Sequence, residues 1–166
     1  MRDYYLLIEL IFATDNSAKN LFWAIQDYQR DRRMTPLPWD MDGTFGRNYA
    51  GSDRESHATK NYRDYLRSNG HLNGIFERLH TLNPNDWREQ MAQRYRQLRR
   101  THFHPQNLTQ RFTSYLRLME QSGADTREAE RWNGANNMHL SFQHEVISIQ
   151  QWLERRIAFL DKQYKF

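Results

Sequence analysis

The chain contains no cysteine, which excludes disulfide frameworks and thiolate zinc sites and leaves the redox compartment undecided. No stretch approaches the ~20 consecutive apolar residues of a membrane span. The opening MRDYYLLIELIFATDNS is interrupted by Glu9, preceded by Asp3 and followed by no small-residue cleavage site, so it reads as a helix of the fold rather than a targeting segment. Internal repeats and low-complexity segments are also missing. Only His102 and His104 lie close together; His71, His80, His139 and His144 are dispersed, without the spacing of a zinc site.

What is present points to one folded domain spanning 1–166, mainly α with a small β-hairpin. Apolar residues make up 38% and charged residues 27%, but Trp, Tyr and Phe reach 14%, enough bulky material for a core. The formal charge is +4 with a pI near 9.5, and arginine dominates the excess, in RDRR at 30–33 and RYRQLRR at 94–100. The second run falls on a helix whose other face is apolar, so it reads as a solvated face or a docking surface. No groove-reading motif accompanies it, and no nucleic-acid partner is expected.

Tyr4, Leu7, Ile8, Ile11 and Phe12 predict a first helix over 3–13. LFWAIQD at 21–27 and MTPLPW at 34–39 flank a charged turn and predict a short antiparallel hairpin at a sheet edge, because Pro36 and Pro38 suit an edge and not a central strand. Residues 47–70 are polar and aperiodic and read as a long loop with one helical turn near Tyr62–Leu66, where Ser52, Ser56 and Thr59 offer phosphorylatable hydroxyls. A helical bundle is expected over 71–166, with Asn83–Pro84 starting one helix and Gly123 closing another. Its last helix follows Ser141 and carries Phe142, Val146, Ile149, Leu153, Ile157, Leu160 and Tyr164 on one stripe.

Two loops bracket the hairpin and combine acids with amides: Asp15-Asn16-Ser17-Ala18-Lys19-Asn20 and Trp39-Asp40-Met41-Asp42-Gly43-Thr44-Phe45-Gly46. Phosphoryl transfer needs an aspartate to orient the attacking hydroxyl, and oxygen ligands from an amide and a second carboxylate to hold Mg²⁺ on the phosphates. D-x-x-x-x-N followed by an acidic turn offers these groups, and a hairpin returns the second cluster to the first. Taken alone, Asp15 is equally a helix-ending residue. A hydrophobic-D-x-D-G-T string also opens haloacid-dehalogenase-type phosphatases, with Asp40 as nucleophile and Asp42 as acid/base. Such enzymes need a parallel sheet, which the helical downstream sequence disfavours.

Taken together, the run Tyr4 to Leu10, D-N-S-A-K-N, an aromatic strand, PWDMDGTFG and the closing FQHEVISIQQWLERRIAFLDKQ resemble the spore-coat CotH kinase family over nearly the whole chain. The resemblance implies the C-terminal lobe of an atypical bacterial protein kinase that transfers the γ-phosphate of ATP to protein serine or threonine with Mg²⁺. Its catalytic loop would be 13–20 and its metal-binding turn 39–46. By motif position Asp15 would be the catalytic aspartate, Asn20 and Asp40 metal ligands, Asp42 a support for the metal or its water shell, and Lys19 a phosphate contact. Trp39 and Phe45 are expected to pack and stiffen the acidic turn.

The sequence holds no glycine-rich phosphate loop and no strand-borne Lys paired to a helical Glu. An N-terminal ATP-clamping lobe is therefore expected to be a missing partner, the ATP site incomplete and the isolated chain inactive. A noncatalytic kinase-like binding or surface-adhesion module is the alternative, and the phosphatase comes third. The resemblance leaves open whether the protein is exported, at the cell surface or associated with spores.

Overall fold

The computed structural model describes residues 1–48, 55–132 and 141–166. Helix α1 (Arg2–Ile11) is the centre of the molecule. It buries Tyr4, Tyr5, Leu6, Ile8, Glu9, Leu10 and Ile11, nearly its whole circumference, as a helix enclosed by others must. It stops two residues before the predicted end because Phe12 turns into the left-handed region at φ 55°, and Ala13 N–H closes back on Ile8 O at 2.9 Å. A bulky residue is strained there. Phe12 is held in place by the rings of His57, Tyr62 and Tyr65 and by the Arg156 guanidinium.

A 3-10 turn (Thr14–Ser17) leads to the hairpin of β1 (Leu21–Ala24) and β2 (Thr35–Pro38), paired antiparallel with Phe22 opposite Leu37 and Trp23 opposite Pro36. The strands are shorter than the apolar runs predicted. Among the described residues this is the single sheet, and it has two strands.

The segment expected to be a long loop carries more structure than one turn: a 3-10 turn (Glu55–Thr59) and α2 (Tyr62–Ser68). Ala58, Tyr62 and Leu66 are fully buried at steps of four, a short stripe that the surrounding polar residues mask in the sequence. Asn61 caps α2 by accepting from Asp64 N–H. Ser52 and His139 lie outside the described residues.

Helices α3 (Gly74–Leu82), α4 (Trp87–Arg99), α5 (Pro105–Ser122), α6 (Ala124–Trp132) and α7 (Phe142–Tyr164) complete the bundle. Asn83 ends α3 in the left-handed region, and its side-chain oxygen accepts from Arg88 N–H at 2.9 Å, so it caps α4 from beyond the first turn. Ser141 caps α7 through His144 N–H, as expected. The buried face of α7 is its C-terminal half, from Trp152 to Tyr164.

The arginines of the α4 basic run are largely committed to the bundle. Arg94 grips Asp3 of α1 through two bonds of 2.7 Å, Arg96 reaches Tyr164 O, and Arg99 pairs with Asp161 of α7. These charges hold helices together. No helix of the described residues is long and apolar enough to cross a membrane.

Candidate functional site

The 13–20 loop is fixed by hydrogen bonds to its backbone. Tyr4 Oη donates to Asn16 O at 2.7 Å, Tyr62 Oη donates to Ala13 O at 2.6 Å, and Ser17 Oγ donates to His71 O. Burial pushes the Tyr4 phenol up to about 12, so it remains a donor at neutral pH. Asn16, almost fully buried, sends its amide to Trp39 O at 2.6 Å and thereby ties this loop to the start of the acidic turn.

The acidic turn is held from the other side. Phe45 N–H donates to Ile11 O at 2.9 Å, and Thr44 Oγ1 donates to Met41 O at 2.9 Å. The Asp42 carboxylate accepts from Gly43 N–H at 2.8 Å. Asp40 and Phe45 adopt φ of 53° and 51°, and Gly46 lies at 83°. Gly46 meets the Trp152 ring so closely that a Cβ would sit 2.5 Å from its Cδ1. Phe45 packs edge-on against Trp152 and Phe112, so its stiffening role is realised through α5 and α7.

Beneath both loops lies Arg156, fully buried on α7. It donates to Glu9 O at 2.8 and 3.1 Å, to Ala58 O at 3.3 Å and to Lys60 O at 2.7 Å. One guanidinium thus joins the end of α1, which leads into Asp15, to the turn carrying His57. Its nearby acid is Glu9, whose carboxylate accepts from Gln163 Nε2 at 2.9 Å and from Tyr164 Oη. Burial raises the Glu9 carboxyl above its usual range, and it lowers the Arg156 guanidinium.

These constraints open a cleft of about 380 Å³ lined by Asp15, Lys19, Asp40 and Asp42, together with Asn16 and His57. Four of the five residues singled out in the sequence therefore share one cavity. The fifth, Asn20, stands beside it with its amide within 3.5 Å of Asp40 Oδ2 and of Asp40 O. Lys19 Nζ lies 3.2 Å from Asp15 Oδ2, with the lysine side chain 74% and the aspartate 35% exposed. Its ammonium thus stands beside the Asp15 carboxylate in the wall of the cleft.

Trp39 departs from the packing role expected of it. It is 63% exposed and stands edge-on to Phe22, and with Leu37 across the hairpin these rings form an apolar ledge by the cleft. Sequence reading also missed Asn16, Arg47 and His57. The i, i+4 step from Asn16 to Asn20 was visible, but nothing local signals that His57 or Arg47 reaches this cavity.

Among the described residues no three His, Asp or Glu side chains converge as a metal-binding group. Mg²⁺ does not require one: it retains much of its water and takes one or two carboxylates plus phosphate oxygens. Asp40 and Asp42 bring two carboxylates to the one cleft, and the Asn20 amide, whose NH2 faces Asp40 in this structure, would add an oxygen once turned over.

No match was found among curated proteins or among solved structures. Residues 2–160 match the family model described as CotH kinase protein. The two loops, the hairpin between them and the closing helix all fall inside that span, and the chain belongs to the CotH kinase family.

Proposed function

We propose that the cleft is the phosphate- and metal-facing half of an ATP-dependent protein kinase site whose acceptor is a protein serine or threonine hydroxyl. The observation that carries this reading is the approach of Asn20 to Asp40 on the margin of the cavity that Asp15 lines. Asp15 orients the acceptor hydroxyl and takes its proton as the hydroxyl oxygen bonds to the γ-phosphorus and the bond from that phosphorus to the departing ADP oxygen breaks. Asn20 and Asp40 hold Mg²⁺, which when bound neutralises charge on the phosphates, and Asp42 steadies the water around it. Lys19 leaves Asp15 to contact a phosphate oxygen. The Phe22–Leu37–Trp39 ledge offers a flat apolar surface beside the phosphates for the nucleobase. A glycine-rich clamp over the phosphates is a further requirement of the reaction.

The phosphatase reading is unsupported, since the sheet described here is a two-stranded antiparallel hairpin and Asp40 follows its second strand.

The test is a titration of Mg²⁺-ATP against the full-length protein, with phosphate transfer to protein hydroxyls followed in parallel. Asp40→Ala is expected to weaken Mg²⁺-dependent nucleotide binding at least about tenfold. Asp15→Asn is expected to keep binding and reduce transfer by roughly 10²–10⁴. Binding and transfer unchanged in Asp40→Ala remove the metal assignment. Metal-dependent binding without transfer in the unaltered protein leaves a kinase-shaped binding module.

A further inference from the structure

One buried amide holds the backbone of both groups assigned above to the metal. Asn16 is 2% exposed, and its Nδ2 donates to Trp39 O at 2.6 Å and to Asn20 O at 3.4 Å. The first of these carbonyls belongs to the peptide that enters Asp40, and the second to Asn20 itself. A single planar NH2, with a proton for each carbonyl, therefore spans the two loops.

Asn16 is itself fixed. Its carbonyl accepts from Tyr4 Oη at 2.7 Å, and its N–H donates to Ala13 O at 3.3 Å, so the end of α1 sets where the amide stands. Asp40 lies at φ 53°, a conformation that a non-glycine residue keeps where its surroundings enforce it, and the bond to Trp39 O orients the peptide just ahead of it. The direct link from Asn20 Nδ2 to Asp40 is 3.5 Å long, at the limit of a hydrogen bond, and it is given up when the Asn20 amide turns its oxygen toward a cation. The bond from Asn16 then remains as the side-chain tie between the two loops among the described residues.

The spacing of two ligands matters most to the stricter ion. Mg²⁺ requires near-octahedral oxygens at about 2.0–2.1 Å, whereas Ca²⁺ accepts about 2.3–2.6 Å in a flexible shell. We propose that Asn16 is a positioning residue that sets the separation of Asn20 and Asp40 and thereby the preference of the cleft for Mg²⁺ over Ca²⁺. This rests on the kinase reading of the cleft, and Asn16 acts through its two carbonyl bonds rather than by touching the metal.

The experiment is calorimetric titration of the full-length protein with the Mg²⁺ and, separately, the Ca²⁺ complex of a nonhydrolysable ATP analogue. Asn16→Leu, close to asparagine in size but without the donors, is expected to weaken the Mg²⁺ complex at least about tenfold and the Ca²⁺ complex far less, so that the preference shrinks. Asn16→Ser, too short to reach both carbonyls, should act in the same direction and serves if the leucine variant fails to fold. Ser141→Ala removes the cap of α7 and should lower Tm with the preference intact, which separates positioning from loss of stability. In the unaltered protein the Asn16 side-chain amide protons should exchange slowly by NMR with and without the Mg²⁺ complex. Folded Asn16 variants that lose both ions in equal proportion, or neither, overturn the proposal, as does an equal loss of preference in Ser141→Ala. Fast exchange of the Asn16 amide in the Mg²⁺ complex overturns it without any variant. Absence of metal-dependent nucleotide binding in the unaltered protein removes the kinase reading itself, a result distinct from a Mg²⁺-selective parent whose Asn16 variants match it.

Discussion

Replacing Gly46 by alanine isolates the joint between the acidic turn and the closing helix. Gly46 sits at φ 83°, where an L-residue is strained by ~1–2 kcal/mol. A new Cβ also falls 2.5 Å from Cδ1 and 2.6 Å from Nε1 of Trp152, a buried ring with little room to withdraw. Overpacking of this kind costs a further ~1–3 kcal/mol. The sum, ~2–5 kcal/mol, is a large share of the stability of a domain of this size and corresponds to a fall in Tm of roughly 4–20 °C. Differential scanning calorimetry measures it.

Trp152→Ala supplies the control for that variant. Once the ring is removed, the same glycine substitution should cost only the backbone part, so the double-mutant cycle should show a coupling of ~1–3 kcal/mol. Equal costs of Gly46→Ala with and without the ring would refute the close approach of Gly46 to Trp152. A Tm within about 2 °C of the parent for Gly46→Ala alone would refute the whole ledger.

Arg156→Met should destabilise the protein by ~3–5 kcal/mol in urea unfolding, because it strips the bonds to Glu9 O, Ala58 O and Lys60 O and leaves buried Glu9 without its neighbouring cation. Arg156→Lys should recover less than half of the loss, since one ammonium does not span the two segments. Glu9 sets a pH dependence: its carboxyl is raised by burial above the ordinary 4.5, so the native state binds more protons than the unfolded chain there. Its contribution to stability is therefore full below about that pH and declines as pH rises through the folded value. Glu9→Gln should abolish this decline, and parallel slopes for the two proteins from pH 4 upward would show that Glu9 is not buried as described.

Helices α1, α4 and α7 were legible because each depends on a local period of apolar side chains, and the cap at Ser141 depends on a neighbour three residues away. The hairpin was legible because the edge prolines and the charged turn mark it within a short stretch, even though the paired strands are shorter than the apolar runs. The acidic and amide loops were legible as motifs, and the strand pairing that returns one to the other is itself short-range. The burial of Ala58, Tyr62 and Leu66 escaped notice, since three apolar positions among polar neighbours carry too weak a period.

By itself, then, the sequence determined the helical class, the hairpin, the family and the residues of the two loops, all of which rest on contacts between near neighbours along the chain. Tertiary structure decided that His57 and Asp15 line one cleft, that Trp152 closes over Gly46, that Arg156 binds α1 to the turn beside it, and that the rings of Tyr5 and His80 meet. Those contacts join residues as much as 147 positions apart. Which distant side chains meet is fixed by how all the helices pack at once, and no local period carries that information.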